Sequence, residues 1–239
     1  MSHALPHEWR LRVHASLPST SDLLLRLAAR GEPGGLAVLA HEQTAGRGRD
    51  GRAWRSEPGN LHLSLLLRPG GPAREAPQWG LLAAVALHDA LVEWAPVPAS
   101  LALKWPNDVL LSGAKLAGIL CESAADAAGL VDWLVIGLGA NLGHAPSVSG
   151  RATACLPHAP GAEIVAGAVL ERMAYWQARQ QAEGFAVIRA AWMARGPTEG
   201  ARLTLRGGLA GDYRGLGNNG SLLLASGGAV RAVLSGEVD

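Results

Sequence analysis

The stretch His41-Glu42-Gln43-Thr44-Ala45-Gly46-Arg47-Gly48-Arg49-Asp50-Gly51-Arg52-Ala53-Trp54 carries the densest chemical signal in the chain. From Gly46 to Arg55 four arginines face one aspartate. Glycines at 46, 48 and 51 let the backbone approach a ligand closely and reach positive φ. Arginine offers forked, permanently charged donors that match phosphate oxygens. Ordering such a loop costs conformational entropy, so it reads as a lid that a ligand would fix. Gly46, Gly48 and Gly51 also match GxGxxG in form. A dinucleotide fingerprint follows a strand and opens a helix. Here Leu36 to Ala40 reads as a strand, but Pro58-Gly59-Asn60 follows as a turn, which excludes a Rossmann site. Taken alone, the loop fits a phosphate cradle and a solvated arginine–glycine tract binding RNA loosely equally well.

Outward from the loop, Ser19-Thr20-Ser21 precede Leu23, Leu24 and Leu27, and Gly31 follows: a capped amphipathic helix with a glycine stop. Leu61, Leu63, Leu65 and Leu67 alternate with His62, Ser64 and Leu66 as in a strand. Gln78 to Trp94 has apolar residues at helical spacing. Leu101 to Lys104 and Leu116 to Cys121 read as strands with a turn near Ser112-Gly113, and Trp133 to Gly137 as a buried strand. Ala162 to Glu183 reads as a long helix with Ile164, Val165, Ala168, Val169 and Trp176 on its apolar face, and Phe185 to Ala194 as another helix. Gly196-Pro197-Thr198-Glu199-Gly200 is linker-like. Beyond it, Ala201 to Arg206, Ser221 to Ala225 and Ala229 to Leu234 read as short strands of a small barrel-like module.

Three further segments can carry chemistry. In Lys104-Trp105-Pro106-Asn107-Asp108 the proline starts a turn that projects Asn107 and Asp108. Asp108 suits Mg²⁺ or a hydroxyl, with Asn107 in support. Lys115-Leu116-Ala117-Gly118-Ile119-Leu120 puts a lysine before small residues; an ordinary hairpin with a solvated lysine is the competing reading. Gly137-Leu138-Gly139-Ala140-Asn141 follows a strand without opening a helix, either as a plain glycine turn or with Asn141 meeting a purine or ribose. The serine and threonine at positions 19–21 either cap a helix only or share donors with a small polar ligand.

Composition excludes several classes. With 49% apolar and 17% charged residues, a core can form and disorder is not expected. A net charge of +1 argues against a general nucleic-acid binder. Cys121 and Cys155 form no CxxC pair and no disulfide framework, which fits a reducing cytoplasm. Met1 to Pro18 has no apolar run of the secretory type, and no stretch approaches the ~18 apolar residues that span a bilayer. A soluble cytoplasmic protein is expected, with no membrane partner. His3 and His7 stand four apart but flank Pro6 near the terminus, so fraying is expected rather than a metal site. No HExxH, Walker lysine or GxSxG occurs.

The segments occur in one order, and together they resemble the catalytic core of the biotin–protein ligases. That family's pattern is a Ser-Thr-Asn helix start, then Gln-x-x-Gly-Arg-Gly-Arg-x-Gly-Arg-x-Trp, Lys-Trp-Pro-Asn-Asp, Lys-Leu-Ala-Gly-Ile-Leu and Gly-x-Gly-x-Asn. It is matched here at Ser19-Thr20, Gln43 to Trp54, Lys104 to Asp108, Lys115 to Leu120 and Gly137 to Asn141. The tail with Gly236-Glu237-Val238 is similar to the family's SH3-like C-terminal module, and the likeness spans roughly residues 10–239.

The resemblance implies an α+β fold: a mixed β-sheet catalytic domain flanked by helices, of the class II aminoacyl-tRNA synthetase/biotin ligase type, with a small C-terminal SH3-like β-barrel. Residues 1–196 would form the biotin- and ATP-binding domain and 197–239 the tail domain. It implies biotin contacts from Ser19, Thr20, Ser21, Gln43, Gly46, Arg47, Gly48, Arg49, Lys115 and Gly118. ATP and the adenylate would meet Arg49, Arg52, Trp54, Lys104, Asn107 and Asn141. Lys115, Arg47, Arg49 and Asp108 would be catalytic, with Asp108 either handling the lysine's proton or holding Mg²⁺. The expected reaction makes biotinyl-5′-AMP from biotin and Mg-ATP, releases pyrophosphate, and passes biotin to a lysine of the biotin carboxyl carrier protein of acetyl-CoA carboxylase or related carboxylases. Lipoate or octanoate ligation on the same fold is the alternative, disfavoured by the arginine loop; a nucleic-acid module is the alternative of another class.

Two positions depart from the family pattern. Ser21 stands where asparagine is common, which shortens a biotin contact; Ala140 stands where a branched residue is common, which loosens a wall. Only eighteen residues precede Ser19, against the roughly 60 of the winged-helix domain of some relatives, so a ligase without a DNA-binding repressor function is expected. The sequence does not set oligomeric state; a homodimer is compatible with it.

Overall fold

The computed structural model describes residues 9–239, so the reading of His3 and His7 lies outside the described residues. Along the chain come β1 (Arg10–Leu17), α1 (Thr20–Ala29), β2 (Leu36–Gln43), β3 (Leu61–Leu67), α2 (Ala76–Leu91), β4 (Leu101–Lys104), β5 (Asp108–Leu111), β6 (Ala114–Ala125), β7 (Val131–Ala140), α3 (Ala162–Glu183) and α4 (Phe185–Met193). The seven strands form one sheet in the order β1-β2-β3-β7-β6-β5-β4. β1 pairs parallel to β2 and the other neighbours pair antiparallel, so the sheet is mixed. The α+β architecture expected from the sequence is therefore present.

β3 explains the two faces. The expected strand is present, and all seven of its residues are buried. Leu61, Leu63, Leu65 and Leu67 enter the main core with α2 and α3, whereas Leu66 joins Leu24, Ala28, Leu36, Val38 and Val135 under α1. Because side chains alternate, His62 and Ser64 share the α1 face with Leu66. α1 starts where Ser19 Oγ accepts from Asp22 N, a cap of the kind worth ~1 kcal/mol. It stops with Gly31 at φ 82°. β5 and β6 meet at Ser112 and Gly113, both at positive φ, as a two-residue primed hairpin turn requires.

Several elements differ from expectation. β1 was not anticipated, although RLRVHASL alternates polar with apolar residues; it is an edge strand whose residues are mostly exposed. In α3 the buried stripe is Val165, Val169, Met173 and Trp176, while Ile164 is 47% exposed. One residue is a turn of about 100°, so Ile164 faces away from a stripe running through Val165. The tail contains β8 (Arg202–Thr204), β9 (Ala210–Leu216), β10 (Leu222–Ser226) and β11 (Ala229–Val233) as an antiparallel meander. β9 was hidden by Gly211, Asp212 and Gly215 within it. Leu205, Tyr213, Leu216, Leu222, Leu224 and Val238 of the tail belong to the main apolar cluster. Trp105 Nε1 donates to Gly220 O at 3.2 Å, seating the tail against the turn after β4. No helix among the described residues is long and apolar enough to cross a membrane.

Candidate active site

Strand register builds the floor of the site. Lys104 pairs with Asp108, Asp108 with Gly118, Gly118 with Gly139, and Gly139 with His62. Paired residues in an antiparallel ladder point to the same face, so these five positions form one row across the sheet. The two glycines leave a trough in it, and the Trp54 indole fills the trough. A Cβ on Gly139 would stand 2.5 Å from Trp54 Cε2, and one on Gly118 would stand 3.3 Å from Trp54 Cζ3 and 3.2 Å from Lys115 Nζ.

Lys115 enters at the start of β6, beside a register shift between Val109 and Leu110. Its Nζ donates to Asp108 Oδ1 at 2.6 Å and lies 5.7 Å from the Trp54 ring centroid. Burial pushes the Lys115 pKa below its ordinary value, against the opposing pull of Asp108. The lysine is therefore not the solvated one of a plain hairpin.

The arginine loop folds back as a tight hairpin. Gly48 N donates to Arg52 O at 2.7 Å and Trp54 N to Gly46 O at 2.9 Å, with Asp50 and Gly51 at positive φ at the tip. Its three inner arginines reach three different parts of the protein. Arg47 binds Asp22 at 2.8 Å and both oxygens of Glu122. Arg49 donates to Asn107 Oδ1 and Gly236 O, each at 3.1 Å. Arg52 reaches Glu237 at 3.0 Å. These partnerships set the loop apart from a solvated arginine–glycine tract.

At one end of the site is a hydroxyl–amide cluster. Gln43 Oε1 accepts from Thr20 N at 2.8 Å and from Thr20 Oγ1 at 3.0 Å. Ser64 Oγ lies 2.7 Å from Thr20 Oγ1 and 3.0 Å from Ser21 Oγ. Gly137 leaves the room: a Cβ there would meet Ser21 Oγ at 2.6 Å. At the other end is a cationic cluster, with Arg52, Arg151 and Arg206 gathered on the Glu237 carboxylate. Burial alone would raise the Glu237 pKa, but the hydrogen bonds and charges of Arg52 and Arg151 outweigh it and bring it down to about 2. A depressed carboxyl pKa stabilises the fold above the ordinary value near 4.5 and loses that contribution as pH falls towards about 2. Urea melts of wild type and Glu237→Gln should therefore differ at pH 7 and converge as pH drops through that window; a constant gap would refute the ion-pair origin.

All the sequence-derived site residues except Gly46 line one cavity of about 840 Å³. Gly46 is instead turned into the hairpin: a Cβ on it would stand 2.6 Å from both Ser56 Oγ and Trp54 O. Its place is to close the loop. Asn141 Nδ2 donates to Ala154 O at 3.0 Å, while its Oδ1 is buried without a partner. Asn107 Nδ2 donates to Ile119 O at 2.6 Å, which fixes the amide that Arg49 contacts. Ala140 is fully buried in the core, so its small size affects packing behind the site. The sequence reading missed Ser64, Glu122, Arg151 and Glu237. None lies in a dense motif, although Glu237 stood inside the recognised tail triplet.

Mg²⁺ is the one implied group to test against these residues. Among the described residues no three His, Cys, Asp or Glu side chains gather as a ligand set. Asp108, the candidate ligand, is 6% exposed and already paired with Lys115. These residues do not form a protein-built metal cage.

Comparison with known proteins agrees with this geometry. The model of the biotin/lipoate A/B protein ligase family matches residues 13–141. A biotin–[acetyl-CoA-carboxylase] ligase of Paracoccus denitrificans is 39% identical over 94% of this chain and 98% of its own. The bifunctional ligase/repressor BirA of Bacillus subtilis is 33% identical over 95% of this chain and 72% of its own. A biotin protein ligase from Aquifex aeolicus, solved in complex with biotin and ATP, superposes with a TM-score of 0.80 at 26% identity, covering 96% of this chain and 97% of that one. By family match, near-full-length identity and fold, the chain belongs to the biotin/lipoate A/B protein ligase family.

Proposed function

We propose that this protein is an ATP-dependent biotin–protein ligase, which makes biotinyl-5′-AMP and transfers biotin to a lysine of a carboxylase's biotin carboxyl carrier domain. The observation that carries this reading is a single cavity with a neutral hydroxyl–amide cluster at one end, a cationic cluster at the other and Lys115 between them. The neutral end, with Thr20, Ser21, Gln43 and Ser64, suits a cyclic urea; the cationic end suits phosphates.

In the first step a carboxylate oxygen of biotin attacks the α-phosphorus of ATP, and pyrophosphate leaves with the electron pair of the broken P–O bond. Positioning and charge neutralisation dominate such a step. We assign Lys115 to the biotin carboxylate and the α-phosphate, Arg49 and Arg52 to the phosphates, Arg47 and Gly48 to the closing hairpin, and Trp54, Asn107 and Asn141 to the nucleotide. Lys104 contributes positive charge at the end of the row. In the second step the carrier lysine's neutral amine attacks the acyl carbon and AMP leaves. We assign Asp108, whose Oδ1 is 2.6 Å from Lys115 Nζ, to take the amine's proton. Mg²⁺ would arrive with ATP as its counter-charge, and no step is assigned to it. The hairpin acts as the lid that shields the mixed anhydride from water. The unit 197–239 contributes Glu237 to the site.

Exchange of labelled pyrophosphate into ATP tests the proposal. Exchange should depend on added biotin and be weak with lipoate or octanoate. Exchange with either of those acids but not with biotin would refute it.

A further inference from the structure

Among the described residues, two buried side chains lining the cavity carry a polar atom without a partner: Asn141 Oδ1 and His62 Nε2. Asn141 is already assigned to the nucleotide. His62 is used by no step above. It is 1% exposed, and its Nδ1 lies 3.3 Å from the Ala40 carbonyl oxygen. A carbonyl only accepts, so Nδ1 carries the hydrogen and Nε2 of the neutral ring presents a lone pair. Burial lowers the His62 pKa, with partial relief from that carbonyl, and so keeps the ring neutral near pH 7.

Position gives this acceptor its meaning. His62 is two residues before Ser64 on the same face of β3, and Ser64 joins the hydroxyl cluster through Thr20 and Ser21. Across the ladder it faces Gly139, whose missing side chain admits Trp54. A fixed, unpaired acceptor thus sits in the row of the glycine under the indole and one same-face step along β3 from Ser64 of the hydroxyl cluster, beside the space the acyl group takes on the reading proposed above. A cyclic urea brings N–H donors into this space. A dithiolane or plain hydrocarbon chain brings none and leaves Nε2 buried and unpaired. A site built to bond an N–H discriminates strongly against analogues that lack it.

We propose that His62 is a specificity-determining residue whose Nε2 accepts a hydrogen bond from an N–H of the bound acyl group, favouring urea-bearing biotin over lipoate and octanoate. The inference rests on the chain being an acyl-adenylate-forming ligase of the kind described.

The test is pyrophosphate exchange with each of the three acids, using wild type, His62→Leu, His62→Phe and His62→Gln. Leucine and phenylalanine remove the acceptor at two sizes, so one serves if the other does not fold; glutamine restores an acceptor through Oε1. Loss of the bond should raise KM for biotin on the order of ten-fold. KM for lipoate and octanoate should stay level or fall, collapsing the preference for biotin, and glutamine should recover part of it. Unchanged biotin KM and unchanged preference in a folded leucine or phenylalanine variant would overturn the proposal. An equal fall for all three acids would overturn it too, as the mark of a merely structural role. A wild type that exchanges with no biotin at all would instead reject the underlying ligase reading.

Discussion

Replacing Lys115 by alanine is expected to slow biotin-dependent pyrophosphate exchange by roughly 10²–10³-fold, the scale set by removing one preorganised donor from a reacting oxyanion. Lys115 Nζ is the one lysine ammonium we place on both the carboxylate nucleophile and the α-phosphate. It is oriented by Asp108 Oδ1 at 2.6 Å and lies 5.7 Å from the Trp54 ring centroid. The alanine variant also leaves Asp108, 6% exposed, without its cation, and an uncompensated buried charge costs about 3–5 kcal/mol. A lower melting temperature in the single variant is therefore part of the expectation. The double variant Lys115→Ala/Asp108→Asn separates the effects: thermal stability should recover and exchange should not. Recovery of both would mean that Lys115 supports the fold only.

Gly139→Val should be the most damaging change that removes no functional group. The new Cβ would stand 2.5 Å from Trp54 Cε2 and 2.7 Å from Nε1, closer than real contacts permit. β7 is held on both sides, by β3 and β6, so the loop side chain must give way. Trp54 is half-buried and its loop is tied by side-chain bonds, so expelling the indole should cost little stability. It should cost roughly 10²-fold in adenylate formation, as a displacement of about 1 Å in a positioning group can. Single-turnover adenylation by rapid quench, alongside a thermal melt, measures both. A full-rate Gly139→Val enzyme would show that Trp54 does not shape the site.

The parts legible in the sequence were those whose residues lie close together in it. Ser19 to Ser21, Gln43 to Trp54, Lys104 to Asp108 and Lys115 to Gly118 are short runs, and their ordered co-occurrence carried the resemblance. The structure gathers them round one cavity, with Gly46 alone turned away into the hairpin. What stayed hidden needed long-range pairing. Arg52 meets Glu237 from 185 positions away, and Arg47 meets Glu122 from 75. Neither acid has a local signature. Ser64 looked like the polar half of an ordinary strand; only burial on both faces of β3 makes its hydroxyl a partner for Thr20 and Ser21. β1 was legible but overlooked, since Leu11, Val13, Ala15 and Leu17 alternate with Arg10, Arg12, His14 and Ser16; β9 was hidden because its glycines lie in bulged, closely packed backbone, where a Cβ on Gly211 would meet Ala225 O at 2.8 Å.

The central claim is that one cavity joins a urea-binding end to a phosphate-binding end and delivers an activated acyl group to a protein lysine. Incubating the protein with biotin, Mg-ATP and a carboxylase carrier domain, then weighing the intact carrier, tests it most directly. The expected result is a gain of one biotinyl group on one lysine, absent without ATP and absent when that lysine is replaced. An unchanged carrier mass, or a carrier modified by lipoate or octanoate in preference to biotin, would contradict it.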